Sequence, residues 1–119
     1  MTSERDLERM LRDGVRAMGG WCLKFVSPGF TGVPDRILLL RGGVIAFAEL
    51  KRPGQVERQR QAFVQYRLRK MGFTVFSAVD SREKIKAILS WVDEKTSRPQ
   101  LQPGWYGQKP TYRKADDDA

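Results

Sequence analysis

The 119-residue chain has no histidine. That absence removes histidine-metal sites, histidine general bases and every Ser-His or Cys-His catalytic arrangement. Cysteine is present once, at Cys22, so an internal disulfide and a multi-cysteine zinc site are both excluded. Cys22 sits among apolar neighbours and reads as a buried core residue, which fits a reducing, cytoplasmic setting in a bacterial or phage-infected host cell. No apolar run approaches the length that crosses a bilayer, and no signal-peptide pattern is visible, so no membrane association is expected. Acidic side chains are outnumbered, 14 against 22 Lys and Arg, which leaves a net charge of +8. Most of the excess lies ahead of Lys95. A basic surface of this kind suits a polyanionic partner, although solubility alone produces similar surfaces. Hydrolytic chemistry in such a chain has to come from carboxylates, lysine and a metal ion.

The length suits one domain with a modest core. We expect that domain over residues 1–95, followed by an irregular tail over 96–119. Pro99, Pro103, Gly104, Gly107 and Pro110 break any regular element in the tail, which ends in Asp116-Asp117-Asp118.

The stretch over residues 32–51 organises the rest. It reads as two strands joined by a turn at Gly42-Gly43. Asp35 opens the first strand; Glu49 and Lys51 close the second. Side chains alternate along a strand, so Glu49 and Lys51 share one face while Leu50 points to the other. Two carboxylates can hold a hard divalent cation, and a lysine beside them can neutralise charge on a phosphate. Glu-x-Lys alone is weak, and Asp93-Glu94-Lys95 repeats it in a helical pattern with no upstream partner. Pro-Asp occurs once, at Pro34-Asp35, a strand length ahead of Glu49-Leu50-Lys51, and that spacing carries the signal. The bland alternative is a sheet edge with charged strand ends.

The turn has a chemical consequence. A two-residue loop at Gly42-Gly43 would pair Arg41 with Val44 and send Asp35 and Glu49 to opposite faces. One metal ion held by both therefore requires an odd loop or a bulge. The simplest is a three-residue loop, Arg41-Gly42-Gly43, that pairs Leu40 with Val44 and sets Asp35 opposite Glu49.

Around this hairpin the elements follow from pattern. Ser3 with Asp6 forms a capping-box signal, Leu7, Met10, Leu11, Val15 and Met18 recur at helical spacing, and Gly19-Gly20 ends the helix. Glu4 and Glu8 flank its apolar stripe; Glu4, in the first turn, also favours the helix dipole. Residues 21–26 form a short strand carrying Lys24. Residues 27–32 form a loop in which Phe30 either stacks on a base or packs inward. The two central strands are apolar on both faces, so helices are expected to cover both. Residues 56–71 form a helix rich in Gln and Arg, with Arg58, Arg60, Arg67 and Arg69 as a DNA-facing rim or a solvated face. Residues 73–79 form a fourth strand, and a last helix, capped by Asp80 or Ser81, buries Ile85, Ile88, Leu89 and Val92. The order αβββαβα makes an α/β fold with a mixed central sheet flanked by helices.

These pieces resemble a VRR-NUC domain, the virus-type replication-repair branch of the PD-(D/E)xK nucleases. The matching residues are the Glu-bearing first helix ending in Gly19-Gly20, Lys24-Phe25-Val26-Ser27-Pro28, Gly32-Val33-Pro34-Asp35-Arg36, Glu49-Leu50-Lys51-Arg52-Pro53-Gly54 and a Gln-bearing helix ending at Gly72. The resemblance spans residues 3–94. The Arg-rich linker over residues 55–60 departs from the family's Ser-Pro-containing stretch, which bears on where the next helix starts. The resemblance implies a restriction-endonuclease-like fold and a site of Asp35, Glu49, Lys51, Glu8 and Gln61. Glu8 is chosen by its distance to Gly19-Gly20, Gln61 by its spacing from Lys51 and to Gly72.

In that reading Asp35, Glu49 and the Leu50 carbonyl ligate Mg²⁺ or Mn²⁺, with Glu8 contributing directly or through water. Lys51 orients the attacking water or stabilises the pentavalent phosphate. Lys24, Ser27, Arg36, Arg52, Arg58 and Arg60 are the DNA contacts. The implied activity is metal-dependent, structure-selective DNA endonuclease cleavage by a homodimer acting on branched DNA, as in Holliday junction resolvases. The competing readings are a flap- or nick-processing nuclease in phage or repair metabolism, a DNA-binding module that does not cleave, and a basic interaction protein with an accidental motif. The homodimer would use Trp91, Phe76 or the tail aromatics Trp105 and Tyr106 as its interface.

Overall fold

The computed structural model describes residues 2–97. The tail aromatics expected at an interface lie outside the described residues. The first helix, α1 (Glu4–Ala17), starts where the side chains demand: Asp6 N–H donates to Ser3 Oγ at 3.1 Å, and Ser3 N–H donates back to Asp6 Oδ2 at 3.4 Å. The bond from Ser3 holds the Asp6 carboxyl below its ordinary range. Leu7, Leu11 and Val15 form the buried stripe.

Four strands make one sheet in the order β1-β2-β3-β4: β1 (Trp21–Lys24), β2 (Arg36–Leu40), β3 (Val44–Leu50) and β4 (Thr74–Val79). The first three are antiparallel neighbours. The chain then crosses through α2 (Gln59–Lys70) to lay β4 parallel to β3, and closes with α3 (Arg82–Thr96), which Ser81 caps by accepting from Lys84 N–H at 3.2 Å. This is the expected αβββαβα order. Among the described residues no helix is long and apolar enough to cross a membrane.

The hairpin has the three-residue loop. Leu40 pairs with Val44, and Arg36 pairs with Ala48. Arg41–Gly43 form the turn, with φ of 78° at Gly42 and 74° at Gly43, a conformation glycine adopts without steric cost. The register therefore carries Asp35 to the position opposite Glu49.

One sheet face is packed by α1 and α3. Leu38, Leu40, Ala46, Ala48, Leu50 and Cys22 meet Leu7, Leu11, Ile85, Ile88 and Val92 in a continuous core. Burial pushes the Cys22 thiol up to about 11, so it is an inert core residue. Phe76 and Trp91, both half-buried, also pack against this core, with ring centroids 5.3 Å apart.

The opposite face departs from the expectation of full cover. There α2 packs along β4. Phe47 stacks on Phe25 and meets Phe73 edge-on, at 5.6 and 5.5 Å. Toward β1 the described residues leave this face open: Trp21 is 55% exposed, and Leu23 and Ile45 are exposed with it. Apolar side chains on both faces of a strand therefore overstated the helical cover.

Candidate active site

The site forms where β2 begins and β3 ends, because β3 runs past the last β2 pair and turns toward β4. Asp35 N–H donates to Glu49 Oε2 at 2.9 Å. The Asp35 carboxylate accepts in turn from Leu50 N–H, at 3.3 Å to Oδ2 and 3.4 Å to Oδ1. The two acids are thus tied to each other's strand through backbone amides. Arg36 folds back onto the same point, donating to the Asp35 carbonyl at 2.9 Å with its guanidinium 3.7 Å from Asp35 Oδ1.

Glu49 and Lys51 are deeply buried, 4% and 6% exposed. Their charged groups lie 3.3 Å apart. Gln61 bridges them: its Oε1 accepts from Lys51 Nζ at 2.9 Å and its Nε2 donates to Glu49 Oε1 at 3.1 Å. The same Gln61 Oε1 accepts from Arg58 N–H at 3.3 Å, so the first turn of α2 fixes the amide's orientation. Satisfying the remaining hydrogen-bond capacity is what makes a buried ion pair tolerable.

The Asp35 carboxyl holds its proton more tightly than a free carboxylate does. Burial pushes its carboxyl up to about 6, and the adjacent Glu49 charge adds to the rise, while Arg36 and the Leu50 amide oppose it.

The helix carboxylates divide. Glu8 pairs with Arg12 at 3.5 Å, and its charge bears on Cys22. Glu4 is among the charges that raise Asp35, and it lines a cleft of about 550 Å³ together with Arg52. Each helix acid thus has its own surroundings, Glu8 beside Arg12 and Glu4 in the cleft with Arg52. Counting residues back from Gly19-Gly20 could not separate the two, because they are one helical turn apart on the same flank of α1.

The sequence-predicted basic residues scatter more widely. Arg58, Arg60 and half-buried Ser27 border a groove that reaches Gln61. Lys24 is exposed at the end of β1, paired with Arg36. Arg69 is committed elsewhere, donating to the Val75 carbonyl at 2.9 Å along β4.

Two features escaped sequence reading. Gln65, which looks like polar surface by composition, is buried on α2, and its Nε2 has no hydrogen-bond partner among the described residues. Its spacing of four from Gln61 was the available signal. The other is a bulge in β4: Ala48 pairs with Phe76 but Leu50 with Val79, and Ala78 takes a φ of 51°. The extra residue keeps Val79 in the core while β4 turns beside Glu49.

No family model matches the chain. A solved structure described as a VRR_NUC domain superimposes with a TM-score of 0.68 at 27% identity, covering 76% of this chain and 97% of that one. A protein of Acyrthosiphon pisum secondary endosymbiont phage 1, named "Putative nuclease p44", is 41% identical over 80 residues, which is 67% of this chain and 85% of that protein.

The chain belongs to the VRR-NUC family. Its mixed four-stranded sheet and the three helices among the described residues are consistent with a VRR-NUC nuclease domain. The crossover through α2 that lays β4 parallel to β3 also brings Gln61 to Glu49.

Proposed function

We propose that this VRR-NUC domain is a divalent-metal-dependent DNA endonuclease that acts on branched DNA in the manner of a junction resolvase. The observation that supports it most is the closed set of contacts among Asp35, Glu49, Lys51 and Gln61 at two adjoining strand ends. The donor chemistry suits Mg²⁺ or Mn²⁺. Asp35, Glu49 and the Leu50 carbonyl offer oxygen only, and Cys22 belongs to the core on the other face. No group of three or more acidic, histidine or cysteine ligands occurs among the described residues. Two carboxylates completed by water and a substrate phosphate is a usual Mg²⁺ arrangement. When bound, such an ion polarises the phosphate and makes water nucleophilic near neutral pH.

The protein's own residues then have separate tasks. Asp35 and Glu49 supply the negative field at a fixed spacing. Lys51, aimed by Gln61, meets charge that develops on the phosphate oxygens. Glu4 extends the acidic side from α1, and Arg52 lies across the same cleft. A four-way junction is resolved by two cuts related by a two-fold axis, and one such site makes one cut, so the active form is a homodimer. The exposed Trp21, Leu23 and Ile45, together with the half-buried Phe76 and Trp91, are candidate apolar residues for the contact.

The test is cleavage of four-way junction, flap, duplex and single-stranded DNA with Mg²⁺ or Mn²⁺, alongside sedimentation of the protein at micromolar concentration. We expect paired symmetric nicks in the junction, none in EDTA, and a dimer. Full activity in EDTA would sink the metal mechanism. Preference for the flap would transfer the reading to flap processing. Junction binding without any cut would leave a binding module, and paired cuts by a strict monomer would remove the dimer.

A further inference from the structure

A second feature adjoins the acids. The loop after β1 and the first turn of α2 enclose a groove of about 440 Å³. Gln61, which holds Lys51 and Glu49, lies at its border, so the groove opens onto the site. Arg58 and Arg60 line it and no carboxylate does. Its charge is that of a receptor for phosphate.

Its shape is that of a receptor for a ring as well. Phe30 is 51% exposed at the tip of the loop. Arg60 sits over its ring, with Cζ 4.8 Å from the centroid, and also 5.6 Å from that of Phe63. Arg60 Nε donates to the Thr31 carbonyl at 3.0 Å, which ties the loop to α2. Gly32 tightens the same joint: its φ is +91°, and a Cβ there would lie 2.7 Å from Arg60 Cγ and 3.0 Å from the Arg60 carbonyl oxygen. The aromatic ring is thereby held out in solvent by a braced loop, with a guanidinium stacked on it.

We propose that this groove takes one unpaired nucleotide of the DNA strand beside the scissile phosphate, its base stacked on Phe30 and its phosphate against Arg58. This deepens the nuclease reading and rests on it. In duplex DNA the flat face of a base is covered by its neighbours, so a stacking platform selects a base freed at a branch or single-stranded arm. A braced platform also lowers the ordering cost of binding. The groove would thus supply the preference for branched over continuous duplex DNA.

The experiment is equilibrium binding by the full chain in EDTA, where cleavage plays no part. One ligand is a forked DNA carrying 2-aminopurine at successive positions in its single-stranded arm; the other is a blunt duplex of the same sequence. We expect a change in 2-aminopurine fluorescence at one position. Phe30→Ala should weaken fork binding about 5- to 150-fold, the range for losing one stacked base, with little change for the duplex. Phe30→Trp should restore it, and an abasic site at the reporting position should mimic Phe30→Ala without adding to it. Equal fork binding by Phe30→Ala, or equal losses on fork and duplex, would overturn the groove. The two readings fail separately. An uncleaving protein whose fork binding depends on Phe30 loses the nuclease assignment and keeps the groove. A cleaving protein indifferent to Phe30 does the reverse.

Discussion

Replacing Asp35 by Ala, Glu49 by Gln or Lys51 by Ala is expected to lower DNA cleavage by roughly 10³-fold or more, since each removes several kcal/mol of transition-state stabilisation. Glu49→Gln is the sharpest of the three. It keeps the shape that accepts from Asp35 N–H and meets Gln61, and it removes only the charge. Lys51→Ala also strands a buried Glu49, so its folding has to be checked by circular dichroism. Its DNA binding should fall far less than its cleavage, because Arg58, Arg60 and Lys24 lie elsewhere on the surface.

Gln61→Ala should fall between these and the unsubstituted chain, about 10- to 100-fold down. It loses the hydrogen bonds to Lys51 and Glu49 and frees Lys51, but leaves every charge in place. On α1, Glu4→Ala should reduce cleavage more than Glu8→Ala, because Glu4 acts on Asp35 while Glu8 is paired with Arg12. Single-turnover rates on a junction substrate measure all of these. Wild-type rates for Glu49→Gln would remove Glu49 from the chemistry. A larger loss for Glu8→Ala would return the helix acid to the residue that sequence spacing favours.

Why the hairpin was legible is instructive. Strand side chains alternate with period two, so a requirement that Asp35 and Glu49 share a face fixes the parity of the loop. Gly42-Gly43 supplies the positive φ that such a loop needs. Chemistry and turn geometry therefore pointed to one register, and Leu40 pairs with Val44 accordingly. The start of α2 had no such constraint. The apolar pattern extends the helix back to Val56, whereas it begins at Gln59, after Gly54 with a φ of +83° and without a side-chain cap from Arg58. The β4 bulge left even less trace: its positive-φ residue is Ala78, which carries no turn signature. Tertiary demand alone, Val79 in the core beside a parallel β3, places it there. Position on α2 limited the reading of Gln65. Composition cannot tell which face of a mixed helix meets the sheet when its apolar stripe is weak.

The largest expected change in stability comes from the same aspartate that cleavage needs. The Asp35 carboxyl is raised from 3.8 to about 6, by burial first and then by Glu49. A group whose proton is held more tightly in the folded state loses stability as pH rises between the unfolded and folded values. Here that loss begins near pH 4 and is complete somewhat above pH 6. Its size is about 1–2 kcal/mol once the 30% exposure of the side chain is allowed for. Asp35→Asn retains an oxygen for Leu50 N–H and carries no charge, so the variant should be more stable than the unsubstituted chain at pH 7.5, by several degrees in Tm, while losing cleavage. At pH 4 the two should melt together. Millimolar Mg²⁺ or Mn²⁺ at pH 7.5 should raise the Tm of the unsubstituted chain and narrow the gap, because the cation relieves the same repulsion. It should leave the Asn variant nearly unmoved. Proton and metal compete for one carboxylate, so the acid limb of the cleavage profile should shift to lower pH as metal concentration rises. Thermal melts with and without metal at the two pH values decide the matter. If Asp35→Asn melts below the unsubstituted chain at pH 7.5, or if metal raises both proteins alike, then a destabilising Asp35 charge is not what the site stores.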